Sequence, residues 1–481
     1  MSSLESIFSD IANSIRSKTG KVGGISPMNM STTIDNMPDG PDTILINSTQ
    51  YNNFTTNKAN YLKTVFNSPI SFDNNITSYS NAFSGLPSFN QPITIPDTVT
   101  NCASMFSGCN TFNQPITIGN NVTDCRYMFS GCYNFNQPVT ISEKIINCSS
   151  MFSYCTRFNS DLYIYANNNI TFNYLNMPNI YTGENTNIVI GNNVASCADM
   201  FSGYYNNGNN SRYYNLLNAK VIIGDNVTNC FNMFYLCHNF NQPIVIPENV
   251  TNCSNMFCGC NNFNQPITIP NNVKSCYGMF GGCVNLNQTI DTFHFFNINV
   301  SLNRTFYACR NLQFTNTNNT IINTPYINEG FRYCEKLNTI IINTSTASGN
   351  FNYAFSECNN LKSVYIFAQD GYINYSNSYN SSYVANVLKR KYVAMFQNCA
   401  NKIHIYTNSN DIKNIFLTSN VSTYGTSYQG VSIAHNILGT QYNANAAKIA
   451  WTQVNTSYFT NSKFILEYNS SLTPSDVLGQ I

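Results

Sequence analysis

Val99-Thr-Asn-Cys102-Ala-Ser-Met105-Phe106-Ser-Gly-Cys109-Asn-Thr-Phe112-Asn-Gln-Pro-Ile116-Thr-Ile118 decides the architecture. It comes back from Val122 to Ile141 with Cys125, Phe129, Cys132, Phe135, Val139 and Ile141 each displaced by 23 residues. A motif copied at a fixed step marks a repeat array, in which one unit cannot bury its apolar face alone and stacked copies make the core. With the Phe of the Met-Phe pair as a ruler, units fall at Phe83, Phe106, Phe129 and Phe152, with a degenerate one near Met177. Others follow at Phe201, Phe234, Phe257, Phe280, Phe306, Phe331, Phe355 and Phe396, which makes about thirteen rungs of about 23 residues.

Inside a rung the spacing reads as two structures. Val99, Cys102, Phe106 and Cys109 recur at three- and four-residue steps, which predicts a short helical turn with one buried face. Ile116 and Ile118 alternate with Thr117, which predicts a short strand with its isoleucines turned inward. Proline or glycine with Asn follows at the corner, as in Ile95-Pro96-Asp97 and Ile269-Pro270-Asn271. The expected fold is a solenoid of short parallel strands and short helical turns.

The composition agrees with a long stacked body. Charged residues are 9% of the 481 and the net charge is +1, so solubility must come from Asn, Ser and Thr. A chain this neutral has no strong field for phosphate backbones or anionic lipid, which argues against nucleic acid as a partner. No run of about 18 apolar residues predicts a membrane span. Glu5 and Asp10 stand where a secretory signal would be basic and then apolar, so no signal peptide is expected.

Residues 1–40 differ from the rest. Leu4, Ile7, Phe8, Ile11 and Ile15 share a helical face that Gly20 ends. Ser26 and Pro27 open a second short helix with Met30 and Ile34 on its inner side. A helical hairpin covering the first rung is one reading. Residues 41–401 form the array, and residues 402–481, where the repeat fades, are expected to be a β-rich cap containing Ile403, Ile405, Trp451 and Leu466. The 23-residue step breaks at three places, giving insertions near 163–187, 204–214 and 368–391, which in repeat proteins map to surface loops.

The pattern V-x-x-C-x-x-M-F-x-x-C-x-x-F-x-Q-P-I-x-I-P over about residues 60–405 resembles the BspA-type leucine-rich repeat and related bacterial surface repeats. That resemblance implies a curved solenoid used for adhesion and recognition rather than catalysis. Ile11-Ala-Asn-Ser-Ile-Arg-Ser-Lys-Thr-Gly20, followed by Pro27, Met30 and Ile34, resembles a segment near the start of many bacteriophage tail and virion proteins. It implies attachment to other virion proteins through residues 1–40, in a particle assembled in the host cytoplasm. The chain is thus expected to be a virion component, tail- or fibre-like, presenting its repeats to a host surface glycan or protein. A purely structural decoration and a bacterial BspA-like adhesin are the alternatives. Assembly of several copies is compatible with each.

The 18 cysteines form two columns, one from Cys102 to Cys276 and one from Cys109 to Cys399, with Cys258 outside both. In-register neighbours would be near enough for disulfides. Each thiol would have two equivalent neighbours, which favours small buried hydrophobes over scattered disulfides or a metal. His238, His294, His404 and His435 fall in no pairing with Ser, Cys or Asp, so no catalytic residue, metal ligand or cofactor is assigned. The candidate ligand-binding residues are instead the tyrosine-rich insertions, Tyr204, Tyr205, Arg212, Tyr213 and Tyr214, then Tyr372, Tyr375, Tyr379 and Tyr383. Tyrosine gives large contact area at low entropy cost, and small polar neighbours adapt their hydrogen bonds. A surface loop without a partner is the plain alternative for each.

Overall fold

The computed structural model describes residues 44–46, 70–142, 144–164, 187–206, 211–288, 300–313, 321–324, 326–344, 349–370, 395–396, 398–399, 402–413, 452–453, 458–460, 464–473 and 476. The expected helices of residues 1–40, with Leu4, Ile7, Phe8, Ile11, Ile15, Met30 and Ile34, lie outside them. The chain divides into two units, Met1–Gly224 and Asp225–Ile481. Both are repeat arrays of stacked rungs.

The expected helical turn in each rung is replaced by something flatter. Cys102, Ser104, Phe106 and Gly108 donate their N–H groups to Asp124, Arg126, Met128 and Ser130 of the next rung, at 2.7–2.9 Å. Met105, Ser107 and Cys109 donate back three residues within their own rung. Two left-handed residues per rung, here Ser104 (φ 56°) and Gly108 (φ 78°), make this alternation possible. The reason is spacing. Successive Phe rings stand 5.4–5.6 Å apart from Phe83 to Phe152, whereas an α-helix with side chains is ~10 Å across. Helices could not stack at that step, so the segment flattens and half of its N–H groups turn to the neighbouring rung. Among the described residues, helix is confined to 410–413 and residue 476.

In the first unit, parallel strands form the opposite wall. β1 (Ile44–Ile46) pairs with β2 (Ile70–Phe72), and β3 (Ile93–Thr94) with β4 (Ile116–Thr117). β5 (Val139–Ile141), β6 (Leu162–Ile164) and β7 (Asn187–Ile190) form a parallel sheet with a later strand, Lys220–Ile222. β8 (Tyr204–Asn206) and β9 (Ser211–Tyr213) are an antiparallel hairpin that precedes that strand, β10. The degenerate rung expected near Met177 is half present. β6 and β7 are adjacent strands, yet the turn wall passes directly from Phe152 to Met200, whose carbonyl accepts the Phe152 N–H at 2.9 Å. Strand is cheap to add because it needs only its two neighbours. A turn segment also needs the buried Cys, Met and Phe set, which the sequence between 165 and 186 does not repeat.

In the second unit the rungs at 244–246 and 267–269 carry no regular strand, and longer strands appear only from Thr339 onward. β11 (Ile321–Ile322), β12 (Thr339–Thr344), β13 (Ser363–Ala368) and β14 (Ile403–Thr407) run parallel. β15 (Thr452–Gln453) and β16 (Tyr458–Thr460) precede β17 (Phe464–Tyr468), which lies parallel beside β14. β16 and β15 then add on antiparallel, so the parallel ladder runs past residue 402 and reverses only at its far edge.

The core is a set of columns. In the first unit Phe83, Phe106, Phe129, Phe152 and Phe201 stack, with Phe89, Phe112, Phe135 and Phe158 interleaved at 4.1–4.3 Å within each rung. Aromatic pairs contribute ~0.5–1.5 kcal/mol beyond burial of their area. The surface carries a second ladder. The Asn113 Oδ1 accepts the Asn136 N–H at 2.9 Å, the Asn136 Oδ1 accepts the Asn159 N–H at 2.8 Å, and Gln137 also reaches Asn113 at 3.2 Å. That is what the repeated Asn-Gln pair does. Like charges in such a register would repel, whereas amides donate and accept along it. Low charge follows from the stacking.

Candidate functional site

Every cysteine is free, and all but the half-buried Cys258 are buried. The second column is more specific than small hydrophobic filler. The Cys132 thiol donates to the Phe106 carbonyl at 3.1 Å, and Cys109, Cys155, Cys260, Cys283 and Cys309 repeat the contact with the Phe one rung back. Burial pushes Cys102, Cys230 and Cys276 up to about 12, with the Asp124 carboxylate adding to the effect at Cys102. Such thiols are not nucleophiles, because the reactive form is the thiolate. Among the described residues no group of three or more His, Cys, Asp or Glu could hold a metal ion.

The insertion at 204–214 is where the surface departs from its ladders. The chain leaves the rung after Gly203, pairs β8 with β9, and returns at Asn215. The Asn215 amide donates to the Phe201 carbonyl at 3.0 Å and its Oδ1 accepts the Leu217 N–H at 2.9 Å. Asn218 then rejoins the amide ladder on the Asn159 Oδ1 at 2.9 Å. The hairpin is therefore seated on an unbroken array.

Tyr204 and Tyr213 are cross-strand partners, with Tyr205 opposite Arg212 in the register. Their rings stack at 5.8 Å, and each meets a tyrosine from a rung. Tyr213 lies nearly parallel to Tyr133, at 6.4 Å and 6°, and Tyr204 meets Tyr154 edge-on at 5.0 Å. Tyr213 and Tyr133 remain 42% and 38% exposed. Burial raises the Tyr154 hydroxyl above its ordinary range, so the phenol is a neutral donor at physiological pH. Tyr154 also sits at φ 64°, the place that Gly85, Gly108 and Gly131 fill in the preceding rungs. A left-handed side-chain residue costs ~1–2 kcal/mol.

Of the tyrosines expected to bind, the structure brings together Tyr204 and Tyr213 and leaves Arg212 exposed and Tyr214 half-buried beside them. Tyr372, Tyr375, Tyr379 and Tyr383 lie outside the described residues. Tyr133 and Tyr154 were not expected. Their signal was available in the copies, since Tyr154 replaces glycine and Tyr133 stands where the previous rung has Asn110.

The second unit carries a different surface cluster. Arg304 and Arg332 pair with the two oxygens of Glu329 at 2.7 and 3.1 Å, and Arg332 lies over the rings of Tyr333 and Tyr353. Its charges largely answer one another within the cluster.

A family model described as Mycoplasma protein of unknown function, DUF285, matches five overlapping stretches, residues 25–117, 77–189, 120–215, 197–319 and 228–344. The chain belongs to the DUF285 family. The overlaps are what a repeat unit produces when it can be laid on an array in several registers, and the DUF285 repeats include the rungs that seat the tyrosine hairpin. No curated protein matches the chain, and no solved structure does. Among the described residues no helix is long and apolar enough to cross a membrane.

Proposed function

We propose that the chain is a bacteriophage virion component, tail- or fibre-like, that uses a BspA-like leucine-rich-repeat solenoid to recognise a host surface. One observation carries the recognition part. Four tyrosines, two from an insertion and two from rungs, converge on one exposed cluster although the array needs none of them for its core. The virion part rests on the resemblance of residues 11–34 to phage tail segments, and it makes residues 1–40 the attachment to neighbouring virion proteins. The activity is binding, and no reaction is assigned.

The test has two arms. Full-length chain should adsorb to host cells, and replacing residues 204–214 by a short Gly-Ser link should lower adsorption at least tenfold with the unfolding midpoint unchanged. Deleting residues 1–40 should leave a folded chain that is missing from assembled particles. Adsorption indifferent to the hairpin would leave a structural decoration; normal incorporation of the truncated chain would sink the attachment role.

A further inference from the structure

The tyrosine cluster has a chemistry that selects among surface ligands. Tyr133, Tyr213 and Tyr204 form a row of rings stacked on one another, with Tyr154 edge-on to Tyr204, and Tyr133 and Tyr213 keep 38% and 42% of their surface exposed. Ring faces take C–H groups, phenol hydroxyls at their edges donate and accept, and a rigid support keeps the ordering cost low. Seating by Asn215 and Asn218 supplies that support at the hairpin base.

Charge narrows the ligand further. Arg126 is closed on Asp124 at 2.8 Å, Asp199 lies near Tyr154, and Arg157 and Arg212 stand exposed on rung and hairpin. Charges of both signs surround the tyrosines, so the patch is not of a single sign. A ligand with flat apolar faces, a rim of hydroxyls and no net charge is a pyranose sugar.

We propose that Tyr133, Tyr154, Tyr204 and Tyr213 form a binding site for a neutral carbohydrate, with a pyranose ring packed along the exposed side of the Tyr133–Tyr213 row. The proposal rests on the recognition reading above and names its ligand class. Full-length chain would be applied to an array of neutral oligosaccharides ending in glucose, galactose or N-acetylglucosamine, beside sialylated and phosphorylated ones. At least one neutral glycan should bind. Tyr213→Ala and Tyr133→Ala should each weaken it at least tenfold, and Tyr213→Phe, which keeps the ring face, by less. Thermal unfolding of the Ala variants should match the parent, since both side chains are on the surface.

Binding of no neutral glycan, binding of anionic glycans alone, or neutral binding untouched by the two Ala variants would each overturn the proposal. The two readings separate in the adsorption assay. Hairpin-dependent adsorption without any neutral glycan bound keeps host recognition and moves the target to a protein or an anionic polymer. Tyrosine-dependent glycan binding without hairpin-dependent adsorption keeps the sugar site and removes host recognition.

Discussion

Rungs up to Phe263 and rungs from Phe280 onward are the same kind of unit held together with different materials. In the first, β3 and β4 are two residues long, and the step from rung to rung is carried by the turn wall, two interleaved columns of Phe and the Asn ladder from Asn90 through Asn159. In the second, Leu286, Leu312, Leu337 and Leu361 take over the inner Phe column, and β12 and β13 lengthen to six residues. Among the described residues the side-chain ladder runs as far as Gln313, and Asn338 accepts the Lys362 N–H through its backbone carbonyl at 2.8 Å instead. Side-chain amides and main-chain strand are thus interchangeable ways of tying one copy to the next. Where the strand is short, the amides do the tying.

The largest test of the contrast is alkaline. Burial raises Cys102, Cys125, Cys132 and Cys155 in the first unit and nine thiols between Cys230 and Cys358 in the second, from an ordinary value of about 9. These thiols stay protonated in the folded chain and ionise in the unfolded one. The unfolded state therefore binds fewer protons above pH 9, and stability falls as pH rises from there toward each folded value. Each thiol contributes a loss of about 1.4 kcal/mol per pH unit in that window and nothing below about pH 8. Hydrogen exchange from about pH 8 to 11 should therefore show protection of the cysteine-bearing rungs falling with pH in each unit. Protection that stays flat across that window would mean that the fold does not hold these thiols protonated.

The corners give the next effect. A Cβ on Gly119 would clash with the Pro96 carbonyl oxygen, a backbone atom that cannot step aside. Gly119→Ala should cost about 3 kcal/mol in urea unfolding, at the upper end for overpacking. In the second unit the same corner position is Pro270, whose own Cβ is already accommodated. Pro270→Ala should cost no more than about 1 kcal/mol, through the unfolded chain's added freedom. A Gly119→Ala chain as stable as its parent would show that the corner is looser than the close approach requires.

How much of this could be read beforehand follows from where each partner sits. The columns of Phe106, Cys109 and Ile116 were legible, because a buried position repeats its residue type at every copy. The turn wall was misread as helical, because spacings of three and four report a shared face and not the path of the backbone. Only the step between rungs excludes an α-helix, and that step is a tertiary quantity. The Asn ladder was missed for a related reason: Asn113 bonds to Asn136, a partner 23 residues away, while local patterns look within one unit. The hairpin showed as an interruption rich in tyrosine. Tyr133 and Tyr154 did not, since each is a single departure inside an otherwise regular rung.

The amide ladder itself can be broken selectively. The Asn136 Oδ1 accepts from the Asn159 N–H and from the Ser160 hydroxyl at 2.8 and 2.9 Å. Asn136→Ala should cost about 1–2 kcal/mol, the value of two net hydrogen bonds at a partly wet site. Asn338→Ala should change stability by less than about 0.5 kcal/mol, because that rung is tied by the main-chain carbonyl. The difference between the two variants, measured under one denaturant condition, is the quantity that matters. Equal costs would place the tie in the backbone everywhere and remove the distinction between the two sets of rungs.

The smallest effect concerns the second left-handed position of each rung. Gly85, Gly108 and Gly131 fill it in the first unit and Gly259 and Gly282 in the second, where Leu236, Ala308, Tyr333 and Glu357 place side chains there at φ 58°, 59°, 64° and 65°. Left-handed backbone costs a side-chain residue ~1–2 kcal/mol, and glycine gives back ~0.4–1 kcal/mol through the freedom of its unfolded chain. Ala308→Gly should therefore stabilise by a few tenths to about 1 kcal/mol. Tyr333→Gly should not, because Tyr333 also holds Arg332 under its ring face at 4.9 Å and meets Tyr307 at 5.4 Å. If Ala308→Gly is destabilising, the alanine methyl must be packing against something worth more than the strain. The Ala308 rung would then have turned this position from a backbone requirement into a contact, as Tyr154 does in the first unit.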